Sequence, residues 1–173
     1  PEVAAMLGPD AKLLFAIPEH KVALPGGRRE SQCDVFALAR TEDETIAVAV
    51  EAKVNEPFGP TLGEWMVGAS AGKTERITFI RDLIGLPVGP MEHVRYQLLH
   101  RTAAAVLEAS RFKTDRAAMI VQSFSQEHRW FEDFAAFTEL LGLEAERGEP
   151  LRHILPSGKS LDLGWAVGSA AFL

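Results

Sequence analysis

Two apolar runs separated by a short charged segment dominate the pattern of this chain. The first is Gln32-Cys33-Asp34-Val35-Phe36-Ala37-Leu38-Ala39-Arg40. The second is Thr45-Ile46-Ala47-Val48-Ala49-Val50-Glu51-Ala52-Lys53, and Thr41-Glu42-Asp43-Glu44 lies between them. Their small, β-branched and aromatic residues predict the two strands of a hairpin. Side chains alternate along a strand. One face therefore takes Cys33, Val35 and Ala37 with Ile46, Val48 and Val50, and the other takes Phe36 and Leu38 with Ala47 and Ala49. Strands that are apolar on both faces belong in the interior of a covered sheet, the layering of an α/β fold.

The remaining pattern supplies the layers. Glu2 to Leu7 makes one helical turn ended by Gly8-Pro9, and Leu13 to Ile17 is a short strand ended by Pro18. Pro25-Gly26-Gly27 is a turn, and Asn55 to Pro60 is a loop held by two prolines. Thr61 caps a short helix with Trp65 and Met66, and Ala71 to Leu86 follows as a helix. The longest helical pattern runs from Met91 to Phe112, with Leu98, Leu99, Thr102, Val106 and Leu107 facing inward. Ala117 to Val121 is a buried strand and Phe131 to Leu141 a helix. Leu151 to Leu155 and Leu161 to Val167 form a C-terminal β-hairpin, expected to lie outside the main sheet. No internal repeat or linker interrupts residues 1–173, so a single domain is expected.

Composition changes this picture little. The chain has 47% hydrophobic and 24% charged residues, as soluble domains do. No apolar run is long enough to cross a membrane, and no secretory signal is expected. One cysteine cannot make an internal disulfide, which suggests a cytoplasmic home. The net charge of −6 argues against a nucleic-acid partner until its distribution is considered. Glu127 to Glu149 carries seven acidic and two basic residues, whereas Arg95 to Arg116 carries five basic and two acidic.

The chemistry lies in the three charges that interrupt the hairpin. A turn centred on Glu42-Asp43 sets Asp34 opposite Glu51, and Lys53 shares the Glu51 face. Opposed strand residues have Cβ atoms about 4.5–5.5 Å apart. Two carboxylates that close repel unless a cation lies between them. A hard divalent ion such as Mg²⁺, held by one or two carboxylates and several waters, answers that need. Lys53 is placed to activate a water or to offset phosphate charge. The structural alternative is a buried ion pair that only satisfies itself. Gly68 to Thr74 resembles a phosphate-binding loop, but it has three residues between its glycines rather than four and no preceding strand; Ser70 as a helix cap explains it better. No two histidines have metal-ligand spacing. The tryptophans are scattered, as packing anchors are, and Cys33 is a core thiol on the face opposite Asp34.

Asp34, followed by Glu51-Ala52-Lys53 on the next strand, resembles the signature of the PD-(D/E)XK nuclease superfamily. The Glu-Pro-Phe-Gly loop at Glu56 and the Arg-Tyr-Gln-Leu-Leu-His-Arg helix at Arg95 resemble a small bacterial branch of it. The likeness covers roughly Leu13 to Phe124, and Cys33 stands where the signature has proline. It implies an α/β, restriction-endonuclease-like αβββαβ core with a central mixed sheet flanked by helices. It also implies a hydrolase that cuts nucleic acid, DNA before RNA, with Mg²⁺ or Mn²⁺ and leaves a 5′-phosphate. Asp34, Glu51 and the Ala52 carbonyl would bind the metal, and Lys53 would serve the attacking water. Glu19 or Glu30 would be an additional acid, and Gln97 a polar residue on the following helix, sharing a face with Arg101. Glu56 is a further carboxylate within reach. A domain of this size would meet duplex DNA as a homodimer. Two other functions stay open: a binding module with a vestigial site, and a stress or defence component that needs a partner.

Overall fold

A computed structural model describes residues 1–172 of the chain. Its centre is one six-stranded mixed sheet flanked by helices, in the order β1-β2-β3-β4-β6-β5. After α1 (Glu2–Ala5), strands β1 (Lys12–Val22), β2 (Ser31–Arg40) and β3 (Thr45–Lys53) run antiparallel. Helices α2 (Leu62–Met66), α3 (Ala71–Ile84) and α4 (Tyr96–Arg111) then lead to β4 (Arg116–Ser123), parallel to β3. Helix α5 (Phe131–Glu139) precedes β5 (Pro150–Ile154) and β6 (Ser160–Val167).

Local chemistry accounts for most boundaries. Thr61 and Glu64 form a reciprocal capping box at α2, and the Ser70 hydroxyl accepts from Lys73 N at the start of α3. Gly85 ends α3 at φ 81°, where a side chain would be strained. The hairpin pairs Val35 with Val50 and Arg40 with Thr45, the register expected from a turn at Glu42-Asp43. Phe36, Ala47 and Ala49 pack under α3, α4 and α5, while Ala37, Ile46, Val48 and Val50 face α1. The small residues on the first face let α4 lie close to the sheet. The second face is thinly covered, with an apolar cavity of about 300 Å³ beside α1.

The structure corrects four sequence expectations. Strand β1 does not end before Pro18 but continues to Val22. It is an edge strand, where a missing N–H costs no ladder bond. Helix α4 starts at Tyr96 rather than Met91, because Arg95 is extended and bridges to Thr61. The C-terminal hairpin is not peripheral. β6 lies between β4 and β5, parallel to β4, and Leu161, Leu163 and Trp165 are fully buried.

The fourth correction concerns Cys33, which joins Phe36 on the α4 face instead of the opposite one. Alternation slips at Asp34, whose carboxylate takes the Ala52 N–H just past the last paired step of the β2–β3 ladder. Glu19, between the β1 residues that pair with Val35 and Cys33, has φ 54°, and beyond it His20 stacks on Phe36 at 4.8 Å. The positive φ of Glu19 and the break in alternation at Asp34 thus fall at the same step of the β1–β2 pair.

Trp165 packs among Phe58, Phe131 and Phe134, and its indole N–H is buried without an acceptor. Trp165→Ala is expected to cost about 3–5 kcal/mol in urea unfolding. Trp165→Phe is expected to cost much less, because it removes an unsatisfied donor along with part of the ring.

Candidate active site

Glu51 and Lys53 lie at the carboxyl end of β3, only 3% and 5% exposed. Burying these charges is tolerable only with partners. Lys53 Nζ lies 2.9 Å from Glu51 Oε1, and Arg101 Nε donates to Glu51 Oε2 at 2.6 Å. The Gln97 amide adds a bond to Oε1. Gln97 and Arg101 are one helical turn apart on α4, so a single face of that helix serves both carboxylate oxygens. That face does not point outward at a phosphate, as the sequence allowed; it points at Glu51.

Asp34 reaches the same place from β2. Its Oδ2 accepts from Ala52 N at 2.7 Å, between Glu51 and Lys53, and no protein group among the described residues donates to Oδ1. Lys53 is further framed by the loop that follows β3. Its Nζ lies 5.3 Å from the centre of the fully buried Phe58 ring and 4.0 Å from Glu56. Burial alone would raise the Glu56 carboxyl. Main-chain amides of Glu56, Val54 and Asn55, together with the Lys53 charge, hold it below the usual range instead.

The cluster extends to residues not anticipated from sequence. Arg101 Nη1 donates to Ser31 Oγ at 3.1 Å and approaches His100 Nδ1 at 3.3 Å, and Ser31 Oγ lies 2.8 Å from that nitrogen. Arginine only donates, so Nδ1 is the acceptor and the ring proton sits on Nε2. Burial first, then the charges of Arg101 and Arg76, push the His100 pKa down to about 3. The signal for His100 is the polar run Gln97-x-x-His100-Arg101 in the first turns of α4; Ser31, on β2, carries no comparable signal.

Other candidates stand apart. Glu19 accepts from the Gln32 amide at the exposed edge, and Glu30 lines a separate cavity. Burial pushes the Cys33 thiol up to about 11, which suits a packing role rather than a nucleophile. Among the described residues, no group of three or more His, Cys, Asp or Glu could hold a metal ion. Asp34 and Glu51 therefore offer two carboxylates, with Glu51 already satisfied on both oxygens. Among these residues, no helix is long and apolar enough to cross a membrane.

These features define a mixed α/β domain with a buried acid, base and amide cluster where parallel strands end, the usual location of ligand sites in such sheets. The chain belongs to the family described as Domain of unknown function (DUF6946), whose profile matches residues 1–170. No curated protein and no solved structure matches it.

Two measurements check this arrangement. Glu51→Leu strands Arg101 and Lys53 without their acid and is expected to lose about 3–5 kcal/mol in urea unfolding. The double variant Glu51→Leu/Arg101→Leu is expected to recover part of that loss. His100 is held neutral in the fold, so its contribution to stability is complete above its ordinary value of 6.5 and fades as pH falls toward 3. Across that window, His100→Gln is expected to flatten the stability profile by about 1.4 kcal/mol per pH unit.

Proposed function

We propose that this domain is a metal-dependent nuclease of the PD-(D/E)XK type, hydrolysing phosphodiester bonds in nucleic acid, DNA in the first place. One observation carries the reading: half-buried Asp34 is tied to Ala52 N at 2.7 Å, and the adjoining residues Glu51 and Lys53 are buried with Lys53 Nζ 2.9 Å from Glu51 Oε1. The element order α1-β1-β2-β3-α4-β4 supports a restriction-endonuclease-like core, with α2 and α3 inserted after β3.

The donor set suits Mg²⁺ or Mn²⁺. Two carboxylates and the Ala52 carbonyl are hard oxygen ligands, and the free Asp34 Oδ1 gives an opening. Glu51 would join by exchanging one of its present contacts. A bound Mg²⁺ would supply Lewis acidity toward a phosphoryl oxygen and a more acidic water. The chain's own groups do the positioning. The Ala52 amide orients Asp34, and Gln97 and Arg101 fix the plane of Glu51. Lys53 holds the attacking water or offsets charge on the phosphate. A homodimer would offer two such sites to a duplex.

The contacts of Arg101 and Lys53 on Glu51 favour a second reading, a nuclease fold with a vestigial site acting as a binding or partner-dependent stress or defence protein. Such a site is expected to show no Mg²⁺ affinity that depends on Asp34 and Glu51 in calorimetric titration.

Activity is tested with purified protein and Mg²⁺ or Mn²⁺ against plasmid, linear and single-stranded DNA. Metal-dependent cleavage is expected, with a fall of about 10²–10⁴-fold for Lys53→Ala and Lys53→Met. No cleavage of any of these, or equal cleavage by the variants, overturns the reading.

A further inference from the structure

Beside the Glu51 cluster lies a second cavity of about 600 Å³, whose lining includes Arg28, Arg29, Lys73 and Arg76. Glu30 is its single acidic residue. None of the four cations has a carboxylate within 4.0 Å among the described residues. For Arg28 and Arg29, which are exposed, that is ordinary. For Arg76 it is not, because the residue is only 5% exposed. Its guanidinium donates to the carbonyls of Pro25 at 2.9 Å and Leu24 at 3.0 Å, which satisfies hydrogen bonds without cancelling charge. A buried cation lacking a counter-ion is costly, and an anion that completes it is favoured accordingly.

The backbone is arranged to keep these charges together. A Cβ on Gly26 would meet Gly72 O at 2.2 Å, and one on Gly72 would meet Gly26 O at 2.7 Å. The Gly-Gly-Arg-Arg loop is therefore locked onto the first turn of α3, which begins at the cavity rim with Ser70. The aromatic pair nearby gives no base platform. Trp65 stacks on Tyr96 at 3.9 Å, and Lys73 Nζ lies 4.9 Å from the Trp65 ring centre. Ser31 lines the cavity and bonds Arg101, which bonds Glu51, so the two sites share a wall.

We infer that this cavity binds phosphate, taking the phosphoryl oxygens of a nucleotide chain that lies across the Glu51 cluster. Guanidinium forks match phosphate oxygens in pairs, and the start of α3 adds a favourable dipole. The nucleotide source rests on the nuclease reading; the phosphate site does not.

The test is calorimetric titration in metal-free buffer with inorganic phosphate, a 5′-phosphorylated single-stranded oligonucleotide and the same oligonucleotide with a 5′-hydroxyl. Saturable phosphate binding is expected, weakened about tenfold or more by Arg28→Gln/Arg29→Gln and by Lys73→Gln. Arg76→Gln is added with its unfolding midpoint measured alongside. The oligonucleotides are expected to compete with phosphate. A preference for the 5′-phosphorylated one assigns the cavity to a strand end, and equal affinity assigns it to the internal backbone. Absence of saturable phosphate binding, or binding unchanged in the first two variants, overturns the inference even where metal-dependent cleavage is intact. Phosphate binding without oligonucleotide competition overturns the nucleotide assignment alone. Phosphate binding without cleavage removes the nuclease reading and leaves the site.

Discussion

The buried carboxylate of Glu51 is the constraint around which the rest of this molecule is arranged. A lone ionised acid at 3% exposure would be driven to neutralise. Here Lys53, Arg101 and Gln97 occupy its two oxygens, from the same strand and from the facing helix. Each partner imposes a demand. Lys53 requires that β3 remain regular for three residues past Val50, its last pair with β2. Arg101 and Gln97 require that α4 cross β3 at one rotation and height. Ala47 and Ala49 on β3, and Ala103 and Ala105 on α4, keep the intervening layer thin enough for such side chains to meet. The polar cluster and the small-residue packing are thus one solution.

The same demand explains the loop after β3. Phe58 is fully buried against Trp165 and lies beneath the Lys53 ammonium, so the loop closes the cluster from below. Arg95, at the start of α4, donates to Gly59 O at 2.8 Å and pairs with Asp133 of α5 at 3.0 Å. The first two turns of α4 therefore join the loop, the cluster and the C-terminal helix. The inner placement of β6 beside β4 fits this, because Trp165 is the floor on which Phe58 and α5 rest.

Much of the layering was legible in the sequence because it depends on short-range pattern. The hairpin register followed from its turn, and Thr61 and Ser70 announced α2 and α3 through capping chemistry. The features that differ from the local pattern all depend on neighbours. Pro18 halts a strand only if its N–H is needed, and β1's edge position is a property of the whole sheet. Alternation alone puts Cys33 on the other face, but Asp34 breaks alternation by using its side chain where the main chain would otherwise pair. β6 looked like half of an isolated hairpin because its parallel partner, β4, is 37 or more residues earlier. The Gln97-Arg101 face was visible as a polar stripe, but its direction was not. An inward arginine and an outward one have the same local sequence.

This distinction bears on the glycine-lysine-threonine segment at the start of α3. It fails as a phosphate-binding loop by spacing and by its preceding helix, and Ser70 caps α3 as expected. Lys73 nevertheless lies beside Arg76 in the basic cavity, because Gly72 lets the Gly26 loop approach α3 closely. The acid excess falls elsewhere, with Glu132, Glu139 and Glu144 lining a separate cavity beside α5. A chain of net charge −6 can therefore present a local cationic surface. Net charge governs long-range encounter, but a contact is decided within about 8–10 Å at physiological salt. The charged groups that line the basic cavity are three arginines and a lysine against one glutamate.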